Sequence, residues 1–331
     1  MNLWTEPGGR WNAAGECGKG VWALDFEKRR KAAEALAWIF FFVCGIFTVL
    51  AVAAVTFYMI CMGLPALRQI GLKEIFFGTR WKPTAVEPEF GIFYIILTSL
   101  LGTLLAAAVG VPLGILTAVY LAELADRRRA GLVRAAVEVL AGIPSVIYGL
   151  LGIYILNPVI YRLERKLFAG SDSHTFTGGA NLISAVIVLS VMMLPTVIHI
   201  SETSIRAVRP GIREASLALG ADRVQTIFCS VLPAARSGIL TAVILGVGRA
   251  AGEAMAITLV SGGSVNAPFP FYSVRFLTTA IVSEMGYAQG LHRQMLFTIG
   301  LILLGFILLV NGTAKLILGK GAEKYGTDGT G

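Results

Sequence analysis

Six apolar stretches, at about 35–64, 90–122, 135–157, 181–200, 237–260 and 294–318, dominate this chain. Each is near or above the roughly 20 residues that a helix needs to cross a hydrocarbon core. With 56% hydrophobic and only 15% charged residues, the chain is too apolar for a soluble domain of its length, in which about a quarter of residues are charged. The expected fold class is an all-α membrane protein with six transmembrane helices.

Six crossings put both termini on one side of the membrane. Lys and Arg choose the side: six lie in residues 1–33, four at Arg127, Arg128, Arg129 and Arg134, and five in residues 201–236. Those segments are expected in the cytoplasm, and the 261–292 connection, with only Arg275, outside. The 65–89 loop, with Arg68, Lys73, Arg80 and Lys82, fits this rule poorly. The net charge of +8 falls in short runs beside apolar stretches, a topology signal rather than a nucleic-acid face. Residues 1–33, with Trp4, Trp11 and Trp22, read as a retained cytoplasmic tail and not as a secretory signal. The basic run Lys28–Lys31 lies too far in, and the apolar stretch after it is too long. Residues 34–319 form the transmembrane domain and 320–331 a second cytoplasmic tail. The four cysteines are expected reduced. The three histidines, His174, His199 and His292, are too dispersed to suggest a metal site.

Pro112, Pro144 and Pro195 interrupt the second, third and fourth stretches, and each removes a backbone donor. Such breaks serve either packing or a protein that opens and closes. Gly102, Ala106, Ala107, Ala108, Gly110 and Gly114 in the second stretch permit close helix approach. Residues 158–180 read as a polar outer loop. Residues 268–288, with Phe269, Phe271, Tyr272, Phe276, Leu277, Ile281 and Met285, read as a short helix or hairpin at the outer interface. That segment serves as an aromatic belt or as a landing surface for an external binding protein.

Residues 201–236 are too polar to cross and too regular for a loose loop. Asp222 with Gln225 resembles a capping box, and Val224, Ile227, Phe228 and Val231 predict one apolar stripe on a short helix. Gly220 permits a sharp bend between this helix and the one before it. Glu214-Ala215-Ser216, then Gly220, then Ser230-Val231-Leu232-Pro233 resembles the EAA motif of ABC importer permeases. Ser216 and Ser230 depart from it, standing where alanine and isoleucine are usual. The resemblance implies that Glu214, Ala215, Ser216, Gly220, Leu232 and Pro233 dock a cytoplasmic ATPase.

Arg249 and Glu253 are expected mid-span, four residues apart on one helical face, where each costs about 2.5–3.5 kcal/mol unless paired or wetted. They serve a transport path or lock two helices as a structural ion pair. The planar, permanently charged guanidinium suits a tetrahedral oxyanion. A carboxylate beside it holds the fork while the path is empty and accepts a hydrogen bond from a protonated anion such as phosphate.

Gly248-Arg249-Ala250-Ala251-Gly252-Glu253-Ala254-Met255-Ala256 resembles the corresponding helix of phosphate-importer permeases of the PstC type. Glu138–Gly149 and Tyr120-Leu121-Ala122-Glu123 are similar to two further signatures of that family, from which Ala254 departs where threonine is common. The resemblance implies a heterodimer with a PstA-like permease, two copies of a PstB-like ATPase and an extracytoplasmic PstS-like phosphate-binding protein. It also implies alternating access in the inner membrane. ATP and Mg belong to the partner ATPase: no G-x-x-x-x-G-K-[ST] loop occurs here, no cofactor is expected on this chain, and no enzyme activity either. Sulfate, molybdate or phosphonate as substrate, or a scaffold role, are the alternatives.

Overall fold

The computed structural model describes the backbone of residues 13–170 and 174–323, and the side chains of residues 34–170 and 174–312. Trp4, Trp11 and the last residues of the C-terminal tail lie outside the described residues. Two compact units, Met1–Tyr58 and Met59–Gly331, are distinguished. The first holds most of α1 (Ala13–Ile70), which begins inside the segment read as a tail. Its apolar side chains from Leu36 to Tyr58 are exposed, as those of a lipid-facing helix are.

The second unit begins with α2 (Leu72–Phe77) and a small antiparallel hairpin, β1 (Trp81–Lys82) with β2 (Glu89–Phe90). The long helix α3 (Phe93–Val119) ends in a π turn, Tyr120–Leu124. Then come α4 (Arg127–Gly142), α5 (Ser145–Leu151) and α6 (Asn157–Leu167), the last two joined by a π turn. After α7 (Leu182–Arg206), the short α8 (Pro210–Ala218) and α9 (Arg223–Thr226) lead through another π turn into α10 (Leu232–Ala251). The chain closes with α11 (Met255–Val260), α12 (Leu277–Glu284) and α13 (Gly290–Glu323). Among the described residues six helical stretches are long and apolar enough to cross a membrane: Glu34–Ile70, Phe93–Leu124, Ser145–Leu167, Leu182–Arg206, Arg223–Ala251 and Gly290–Gly312.

Two helical stretches are displaced from their expected bounds. The third runs from Ser145 to Leu167 rather than 135–157, because Ile143-Pro144 breaks the chain and leaves α4 as a separate helix. Residues 158–167, expected in an outer loop, are helical and continue the helix of the third crossing. The fifth helical stretch runs from Arg223 to Ala251, so the second half of the expected elbow is continuous with the helix of the fifth crossing. Both helices continue through a proline, Pro158 or Pro233, in the same way. A proline inside an α-helix removes a donor and collides with the carbonyl four residues back. Here the preceding turn widens to a π turn, Gly152–Leu156 or Ile227–Val231, so the collision is relieved and the helix runs on.

Small residues hold the centre together. α7 packs against both α3 and α10. A methyl group on Gly110 would lie 2.6 Å from Met193 Sδ, one on Gly114 2.7 Å from Val197 Cγ1, and one on Gly246 2.7 Å from Val197 Cγ2. The glycines expected to admit close approach do so. Ser190 Oγ donates both to Val186 O (2.7 Å) and across to Ala106 O (3.1 Å), a bond that is durable where water is excluded. The 268–288 segment contains the expected short helix, α12, but Phe276 and Leu277 are buried in the core. Phe269 and Tyr272 stay exposed.

Candidate functional site

α10 connects the two parts of the site. It begins in the elbow at Leu232 and ends at Ala251, and Arg249 stands in its last turn. At about 1.5 Å per residue Arg249 lies about 24 Å along the axis from Pro233. A cation there complements the negative end of the helix dipole.

The helix stops after Ala251, and α11 starts afresh at Met255. Arg249 and Glu253 therefore do not lie on one continuous helical face, as expected, but on either side of a break. Glu253 Oε1 accepts from Ala256 N–H (3.1 Å), satisfying one of the orphan donors at the start of α11. The Glu253 carbonyl accepts from Thr278 Oγ1 (2.7 Å). The carboxylate does not hold the guanidinium in this conformation. Among the described residues Arg249 makes no hydrogen bond or ion pair, and its side chain is exposed.

The residues of the 138–149 signature form the backing of this break. Tyr148 Oη donates to Leu140 O (2.6 Å), folding α5 back on the end of α4 across Pro144. The Tyr148 ring packs in one cluster with Ala250, Ala256 and Ile257. Gly149 and Gly152 let α5 approach α11: a methyl on Gly149 would lie 2.6 Å from Leu259 Cδ1, and one on Gly152 would collide with Val260 Cγ1.

At the other end, α8 closes in a Schellman motif, with Ala221 N–H donating to Ser216 O (3.2 Å) and Gly220 N–H to Leu217 O (3.0 Å). Gly220 has φ +89°, and nothing lies within 4 Å of where a Cβ would sit. The glycine is required by the backbone, not by space. The capping box is present: Asp222 accepts from Gln225 N–H (2.6 Å) and Gln225 Oε1 accepts from Asp222 N–H (3.2 Å).

The expected single stripe divides into two rows. Ile227 and Val231 are buried against Ala118, Val119, Ile205 and Val208, while Val224 and Phe228 are exposed with Leu217 and Leu219. Of the six elbow residues picked from sequence, Glu214, Ala215, Gly220 and Pro233 are exposed; Ser216 and Leu232 are half-buried. The two departures from the motif meet in space. Ser230 Oγ lies 3.3 Å from Ser216 Oγ, which lies 3.0 Å from Thr226 Oγ1.

Three buried carboxylates, Glu164, Glu202 and Glu284, and the half-buried Glu123, quoted above only as part of a signature, were given no pairing role from sequence; Arg134, Arg206, Arg213 and Arg275, counted there for topology, are among their partners. Glu202 accepts from Arg134 (2.6 Å) and Arg206 (2.9 Å), and the hydrogen bond to Glu202 holds the Arg134 pKa above its ordinary value. Glu123 accepts from Arg213 (2.6 Å). Glu284 gathers Trp81 Nε1, Arg275 and His292, and Glu164 gathers His174 and Thr177. Glutamates at the ends of apolar stretches, such as Glu123 after Ala122, were the available signal.

Residues 110–319 match the family of binding-protein-dependent transport system inner membrane components. The chain belongs to this family. It is thus a multi-pass inner-membrane permease and not an enzyme. The "Probable ABC transporter permease protein YqgH" of Bacillus subtilis is 36% identical over 81% of this chain and 86% of its own length. The "Phosphate transport system permease protein PstC" of Pasteurella multocida is 29% identical over 85% of this chain and 90% of its own. The PstC of Xylella fastidiosa is 30% identical over 83% and 85%. Among solved structures, a chain of a bacterial alginate ABC transporter in complex with an alginate-bound periplasmic protein superposes with a TM-score of 0.56. It covers 82% of this chain and 94% of its own at 19% identity, a likeness of fold.

Proposed function

We propose that this chain is one of two permease halves of an ATP-driven phosphate importer, and that Arg249 is its anion ligand on the path. The observation that carries the reading is the unpaired, exposed guanidinium at the end of the helix that begins in the elbow. A structural ion pair locking two helices of this chain would show its partner, and Arg249 has none among the described residues. The resemblance to PstC proteins over more than four-fifths of the chain supports phosphate as substrate. Glu253 fits a protonated oxyanion, since Oε1 is engaged by Ala256 and Oε2 is left to accept a proton-bearing oxygen.

In this reading the partner permease is a PstA-like paralogue, and one of two PstB-like ATPase copies grips the elbow of this chain at Glu214, Ala215, Gly220 and Pro233. Ser216 and Leu232 brace it from within. A PstS-like protein delivers phosphate to the opposite face. The elbow and both termini lie in the cytoplasm, as the arginine-rich connections favour. ATP and Mg bind the ATPase alone. Closure of the ATPases pushes the elbow, and α10 carries the displacement to Arg249, which passes from outward to inward exposure.

The test is uptake of radiolabelled phosphate by the reconstituted four-component complex. Arg249→Ala abolishes uptake while the ATPase still co-purifies; retention of uptake overturns the ligand role. Another oxyanion that the Arg249 guanidinium could hold in the same way is the alternative substrate. Competition separates the two: excess unlabelled sulfate, molybdate or phosphonate leaves phosphate uptake unchanged if phosphate is the substrate.

A further inference from the structure

We propose that the last turn of α3 is the joint through which the elbow moves the membrane helices, and that Glu123 is its positioning residue, a role that rests on the importer reading. The π turn Tyr120–Leu124 ends α3, and the terminal carbonyls of a helix lack internal partners. Two of them are claimed by arginines from other elements: Leu121 O by Arg206 (2.6 Å), at the end of α7, and Glu123 O by Arg223, at the start of α9. The Glu123 carboxylate takes a third arginine, Arg213 of α8, through both Nε (3.1 Å) and Nη2 (2.6 Å). Three arginines from the end of α7 and from both elbow helices thus close on five residues of α3.

Arg213 does more than pair with Glu123. Its Nη1 donates to Val208 O (2.6 Å) and its Nη2 to Ile205 O (2.9 Å), so one guanidinium ties the end of α7 to α8 and to α3. It stands beside Glu214, the first residue of the elbow motif. The pair is largely screened from solvent, with 24% of the Arg213 and 13% of the Glu123 side chain exposed. A buried apolar cluster of Ala118, Val119, Ile205, Val208, Ile227 and Val231 joins α3, the end of α7 and the π turn Ile227–Val231, and contains no residue of α8. Hydrophobic contact alone permits sliding. A directed, multiply hydrogen-bonded ion pair fixes register, so a displacement of α8 is passed to α3 and α7 together. Those two helices pack through Gly110 and Gly114, and α7 in turn packs against α10, which carries Arg249.

The test uses the complete reconstituted transporter and compares ATP hydrolysis without and with phosphate-loaded binding protein. Glu123→Gln keeps an acceptor and removes the charge. It leaves assembly intact and basal hydrolysis within about twofold of wild type, while stimulation and uptake fall at least about tenfold. Arg213→Gln alone loses at least as much as Glu123→Gln, because its bonds to Val208 O and Ile205 O go too, and the double variant is no worse than Arg213→Gln alone. If the single variant fails to assemble because Arg213 is left unpaired, the double neutral variant carries the test. Stimulation and uptake at wild-type levels in Glu123→Gln overturn the joint, and so does loss of assembly in both variants, which would make the pair a fold staple. A wild-type complex that hydrolyses ATP but does not respond to phosphate counts against the phosphate reading, not against the joint.

Discussion

Replacing Gly220 probes the elbow's geometry most cleanly, because its φ of +89° is separated from any steric effect. No atom of this chain lies within 4 Å of a Cβ at this position, so within the permease a side chain adds backbone strain and nothing else. For an L-residue other than Asn or Asp the left-handed region costs about 1–2 kcal/mol. The two hydrogen bonds that close the turn, Ala221 N–H to Ser216 O and Gly220 N–H to Leu217 O, form only in that conformation. Gly220→Ala therefore lowers the local opening free energy by that amount, and about 1–2 kcal/mol is a factor of about 5–30 in population. Amide exchange over residues 216–226, followed by mass spectrometry on the permease pair before the ATPase is added, accelerates by that factor in Gly220→Ala. It accelerates more in Gly220→Val, whose β-branch tolerates positive φ least, and stays within about twofold of wild type in Gly220→Asn. ATPase-coupled uptake follows the same order. Equal exchange in the Ala and Asn variants, or no change in either, refutes the conformational argument.

Three further perturbations follow from individual contacts. Gly152→Ala drives a methyl into Val260 Cγ1 and costs about 1–3 kcal/mol, read as a lower melting temperature; Val260→Ala in the same chain restores most of the loss. Ser216→Ala removes the hydroxyl between Ser230 and Thr226 and costs about 1 kcal/mol, while Ser216→Ala with Ser230→Ile, the residues usual in the motif, recovers the elbow's exchange protection. Glu253→Gln keeps an oxygen for Ala256 N–H, so melting is unchanged, yet phosphate uptake falls about tenfold, the equivalent of one lost hydrogen bond. Loss of melting temperature in that variant marks Glu253 as a structural cap.

The crossings and the elbow were legible because periodicity and apolar length are local properties. Asp222 and Gln225 form the capping box that their spacing predicted, and Gly110 and Gly114 are where helices meet. The ends of the crossings were not legible. Pro158 and Pro233 stand inside helical stretches although proline is costly in an α-helix, because a π turn upstream of each removes that cost, and no residue pattern announces a π turn. Conversely, the break after Ala251 was hidden by four apolar or small residues around Glu253, so Arg249 and Glu253 were taken to share a face that the chain does not form. The meeting of Ser216 with Ser230, and of Glu123 with Arg213, 90 positions apart, depends on tertiary contacts. A lone sequence lists such residues without pairing them.

In the proposed mechanism Arg249 holds phosphate through two parallel hydrogen bonds on its way across. Arg249→Lys keeps the charge and removes the fork, losing a charge-assisted bond of about 1.5–3 kcal/mol, or about 10- to 150-fold. Radiolabelled phosphate uptake by proteoliposomes containing the lysine variant, with the ATPase and partner permease co-purifying at wild-type stoichiometry, is predicted to fall at least about tenfold. Uptake at the wild-type rate would contradict the account.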